Sequence, residues 1–162
     1  MKLWQRRLLG VFTFGGALIG ISDGLTALVS RDHAIAWIIC LTAVAFYVWG
    51  AWCGVRLLER GPRAENSVLK YWIAQIAVFS CPWFGYLLSS GFQITVSIQF
   101  SPLGFGAHFD LGHSFAYSSF ESGQPWMIGA NLFAVAVAWW LADWTSDGDS
   151  IGALDDVSRP TV

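Results

Sequence analysis

Four apolar stretches constrain this 162-residue chain more than any other feature. Residues 8–30 carry one charge, Asp23, and residues 34–57 carry none before Arg56. Residues 71–90 are uncharged, and residues 125–144 hold only Asp143, near their end. A helix needs about 20 apolar residues to cross a hydrocarbon core of roughly 30 Å. Lipid offers no hydrogen bonds, so a spanning backbone must satisfy its own polar groups. The pattern therefore predicts an all-α membrane protein: a four-transmembrane-helix bundle over residues 1–144, followed by an acidic, disordered tail over 145–162. Composition points the same way. Charged residues make up 12% of the chain, about half the usual share of a soluble domain. That excludes a soluble enzyme, a disordered chain and a basic nucleic-acid binder. The first apolar run exceeds a signal-peptide core and is followed by no small-x-small cleavage pattern, so it reads as a signal anchor. Three cysteines, Cys40, Cys53 and Cys81, lie within the apolar runs and read as small core residues rather than a disulfide framework.

Orientation follows from the basic residues. Eight of the nine Lys and Arg fall before the first run (Lys2, Arg6, Arg7), between the second and third (Arg56, Arg60, Arg63, Lys70) or in the tail (Arg159). Only Arg31 falls on the other side, so both termini are expected in the cytoplasm and residues 91–124 outside it, in a bacterial inner membrane. Gly61-Pro62 ends the second helix, and its basic loop suits anionic headgroups. Arg31-Asp32-His33 reads as a tight outer turn, and Pro82 as a kink in the third helix.

Between the third and fourth runs the period changes. Residues 92–100 (FQITVSIQF) alternate apolar and polar without a break, the signature of a half-buried strand. Ser101-Pro102-Leu103-Gly104 is turn chemistry. Alternation then resumes, with Phe105, Ala107, Phe109, Leu111, Phe115 and Tyr117 on one face and Gly106, His108, Asp110, Gly112 and Ser114 on the other. The expectation is an extracytoplasmic amphipathic β-hairpin over about residues 92–117. Its apolar face, with Val96, Ile98, Phe105 and Phe109, needs cover from the bundle, the membrane surface, or another copy or subunit, and its polar face is expected to be wet.

Asp23 is the leading polar candidate, because a carboxylate within a span must face protein or water. Its candidate partners are Gln75 in the third run, Asn131 in the fourth, or Arg31 two turns along. Gly16, Gly20 and Gly24 lie at four-residue spacing beside it, as do Gly50 and Gly54, and Ala134 and Ala138. Such rows let helix backbones approach closely. His108 and Asp110 share a strand face and suit a solvated pair, because no third ligand with recognisable spacing completes a metal site. No catalytic residue set, cofactor motif or metal site is read from the sequence. The expected role is a non-enzymatic accessory, assembly, sensing or immunity subunit. It would dock another membrane protein, or a second copy, through the hairpin and the small-residue helix faces. The alternative is a protomer of a small transporter or channel with Asp23, Gln75 and Asn131 along a proton or cation path.

Overall fold

The computed structural model describes residues 2–29, 34–61, 63–81, 85–100, 103–116 and 126–157. The turn at 31–33, Pro82, Ser101-Pro102, Tyr117 and the last five residues lie outside that set. Within it are four helices, α1 (Leu3–Val29), α2 (Ala34–Leu58), α3 (Ala64–Ala74) and α4 (Leu132–Val157). Four strands, β1 (Ala77–Ser80), β2 (Gly85–Phe100), β3 (Leu103–Ala116) and β4 (Met127–Asn131), form one antiparallel sheet in the order β1-β4-β2-β3.

The first two helices are long and apolar enough to cross a membrane. At about 1.5 Å per residue each approaches 40 Å. They pack antiparallel through glycines. A Cβ on Gly10 would meet Leu58, on Gly20 the Tyr47 ring, on Gly24 Val44, and on Gly54 the backbone of Phe14. Residue numbers rise along α1 as they fall along α2, so one continuous seam joins the pair.

The four-span bundle is corrected at its third and fourth members. α3 has 11 residues, about half the length that a hydrocarbon core demands. Its last turn tightens as the Gln75 and Ile76 amides donate to the carbonyls of Trp72 and Ile73, both at 3.1 Å. The next residues, Ile76-Ala77-Val78-Phe79-Ser80, favour extended backbone. In sequence, Pro82 and Gly85 then oppose any return to helix. Residues 71–90 are thus split among α3, β1 and the first part of β2. Likewise β4 takes the start of the fourth apolar run before α4 begins, and the apolar part of α4 is only Leu132–Trp144. Apolar length alone does not separate these outcomes, because paired strands also satisfy their backbone groups internally. At the other end, α4 continues through residues 145–157, where composition suggests a disordered tail. An established helix extends at little cost, and no proline intervenes before Pro160.

All four helices share one core. Leu9, Cys53, Leu57, Val68, Tyr71, Trp72, Ala134, Ala138 and Leu141 are buried together. Tyr71 fills the space over Gly50 and stacks on Phe46 with ring centroids 4.9 Å apart. Trp72 donates its indole N–H to Thr13 Oγ1 at 3.2 Å, tying α3 to α1. The sheet joins this core where Phe92 of β2 meets Phe133 of α4, with centroids 5.3 Å apart.

Candidate functional site

β2 and β3 form a hairpin whose register runs from Phe100↔Leu103 to Leu87↔Ala116. It is longer than the alternating segment predicts, because pairing extends back to residues assigned to the third span. Pairing also aligns the chemistry. Thr95 stands opposite His108 on one side and Asn131 on the other, and Ser97 stands between Gly106 and Gly129. The next row is apolar, with Val96 between Ala107 and Ala130, and Ile98 between Phe105 and Ile128.

Which face turns inward is the reverse of the expectation. Gln93 and Thr95 are 2% and 4% exposed, whereas Ile94, Val96, Ile98 and Phe100 are 36%, 42%, 39% and 54% exposed. Near the hairpin tip the apolar side is barer still, with Leu103 at 74% and Phe105 at 81%. The polar side chains find partners, in a buried bond at Gln93 and an exposed one at Ser97. Gln93 Nε2 donates to Thr95 Oγ1 at 2.6 Å, and Ser97 Oγ donates to the Gly106 carbonyl at 3.5 Å. The residues do not change faces; the sheet is turned over. Alternation dictates which side chains are neighbours, and contacts with elements distant in the chain decide which set is covered; Phe92, on the apolar row, is itself half-buried against Phe133.

A cavity of about 350 Å³ opens on the polar side, lined by Val78, Gln93, Thr95, Ser97, His108 and Met127 together with Gly106 and Ala107. Gln93 Oε1 is buried there without a donor among the described residues. His108 is exposed at the rim, and the surroundings of the Asp110 side chain lie outside the described residues. Among the described residues no group of three His, Cys, Asp or Glu is placed to hold a metal ion.

Gln75 and Asn131 come together at the junction of helices and sheet. Both are fully buried, at 0% and 1% exposure. Gln75 closes α3, and its Nε2 donates to the Tyr71 carbonyl at 3.3 Å. Asn131 ends β4 and caps α4. Its Oδ1 accepts from the amides of Phe133 at 3.1 Å, Ala134 at 3.3 Å and Ile94 at 3.4 Å. Its own amide donates to the Ile76 carbonyl at 2.9 Å. A carboxamide oxygen at a helix start relieves the amides that the first turn leaves unbonded. Asn followed by a long apolar helical run is a readable cap signature, which a search for polar residues inside spans passes over. Asp23 lies half-buried on α1, and it lines neither the cavity on the sheet nor the one at the arginine end.

The small residues serve contacts within the chain. Gly20, Gly24 and Gly54 lie in the α1–α2 seam, Gly50 receives Tyr71, Gly16 is buried on α1, and Ala134 and Ala138 lie in the common core. Every row is occupied by the protein's own side chains or buried within it. No family model, curated protein or solved structure matches the chain, so the reading of the site rests on its own geometry.

Proposed function

We propose that this protein is a non-enzymatic subunit embedded in a membrane, which docks another membrane protein through the apolar face and free edge of its sheet. The observation that carries the reading is the sense of burial along β2, with polar side chains inward and apolar ones outward. An exposed apolar surface of this extent marks an interaction surface rather than a wetted one. The helices support a lipid setting, since Val11, Phe12, Leu18, Ile19, Ile38 and Leu41 all face outward. Protein is the better occupant of the sheet because β3 is an edge strand among the described residues. Its outer row of amides and carbonyls needs hydrogen-bond partners, which lipid tails lack and a partner strand supplies. Gly20, Gly24, Gly50 and Gly54, already filled from within, leave the sheet as the surface on offer.

The test sets adjacent residues against each other and adds a cross-link. Thr95→Asp places a charge on the covered face and is expected to lower folded yield in detergent severalfold. Val96→Asp changes the exposed face and is expected to keep parental yield and melting behaviour while abolishing partner capture. A photoreactive phenylalanine analogue at Phe105 should give, in cells, one discrete adduct heavier than the protein by a second, different chain. An adduct at twice the protein's mass, or no protein adduct, overturns the proposal. So does a Val96→Asp variant that retains the partner.

A further inference from the structure

At the end of the molecule opposite the sheet, three arginines from two elements line one small cavity. Arg6 of α1 and Arg60 and Arg63 of the α2–α3 loop surround about 200 Å³, with Leu57, Ala64 and Glu65 completing the wall. A space of this size suits a phosphate group rather than a lipid tail. The side chains carry three positive charges against one negative. Arg6 Nε is buried with no hydrogen-bond partner among the described residues. A guanidinium donor removed from water without an acceptor is costly, and Arg6, which lines the cavity, brings its guanidinium to that space. One further feature favours an anion there. Arg63 caps α3 with no side-chain hydrogen bond to its first turn; the Ala64 amide is taken by the Gly61 carbonyl at 3.2 Å, and the dipole of the helix start adds positive charge. Arg60 and Arg63 also both hold left-handed backbone, with φ of 60° and 57°. Arg56 is engaged elsewhere, its guanidinium 4.7 Å from the centroid of the Trp52 ring.

We infer that Arg6, Arg60 and Arg63, with the first turn of α3, form a binding site for a phosphate group, carried by the headgroup of an anionic phospholipid. Planar guanidinium forks match phosphate oxygens in paired hydrogen bonds, which a diffuse basic patch does not require. The lipid source rests on the membrane placement proposed above, but not on the sheet's partner. Loss of partner capture and loss of lipid retention are therefore separate failures.

Native mass spectrometry of the full chain in detergent reads the site directly, with phosphatidylglycerol, diacylglycerol and inorganic phosphate as probes. Phosphatidylglycerol should be retained as a one-to-one adduct, and diacylglycerol, which has the tails without the phosphate, should not. Arg6→Gln and Arg60→Gly should each weaken retention roughly tenfold or more, the loss of one charge-assisted hydrogen bond. Arg60→Gly also relieves left-handed backbone, so a parental melting profile separates lost binding from lost folding. Glu65→Gln removes the one opposing charge and should tighten retention, whereas Arg7→Ala, outside the cavity, should leave it unchanged. Displacement of the lipid by millimolar inorganic phosphate would assign the site to free phosphate. Resistance to displacement assigns it to the headgroup. Equal retention of both lipids, or parental retention by both Arg6→Gln and Arg60→Gly, overturns the inference.

Discussion

At Asn131 a single carboxamide oxygen collects amide donors from two elements, Phe133 and Ala134 in the first turn of α4 and Ile94 in β2. Removing it should loosen the start of the helix and its junction with the sheet together. Asn131→Ala is expected to cost about 1–2 kcal/mol, the upper part of the range for a lost N-cap, read as a lower midpoint in detergent unfolding. Asn131→Asp keeps the acceptor and adds a charge favourable at a helix start, so it should stay closer to the parent. Equal midpoints for parent and Asn131→Ala would remove this residue's structural role. The sequence makes Asn131 visible as a polar residue in an apolar run. Its partners depend on a strand ending where a helix begins, and hydropathy carries no mark of that change. Gln93 and Thr95 show a different gap: their shared face is legible from alternation, but its inward direction depends on contacts distant in the chain.

Among the elements, α1 and α2 were legible nearly to their ends, because long uncharged runs flanked by charge have few other solutions. The hairpin was legible from its period. α3, β1 and β4 were not, since an apolar run that is half helix and half strand has the same mean hydropathy as a full span. The α1–α2 seam permits a test at a single spacing. A Cβ on Gly54 would come within 2.8 Å of the Phe14 amide nitrogen, whereas one on Gly15 meets nothing within 4 Å. Gly54→Ala should therefore destabilise by about 1–3 kcal/mol through forced backbone separation. Gly15→Ala should be neutral or stabilising by up to about 1 kcal/mol. Thermal unfolding in detergent checks both, and matched losses at the two positions would mean that the seam is not formed as described.

For the whole molecule, the arginines collect at one end and the sheet lies toward the other. By the positive-inside rule, the asymmetry of Lys and Arg predicts that the arginine end faces the cytoplasm. With Cys40, Cys53 and Cys81 replaced, His108→Cys should then react with a membrane-impermeant maleimide in intact cells; labelling only after lysis would reverse the orientation. The order of the strands has a consequence for how the chain is made. β4 lies inside the sheet, bonded to both β1 and β2, yet it is the last strand in the chain. The α1–α2 pair can close as soon as it leaves the ribosome. β1 and β2 must wait, with part of their backbone unsealed, until residue 131 has been synthesised and the final strand slides between them. That interval is when the nascent protein is most open to aggregation, and when an insertase or chaperone would have most to hold.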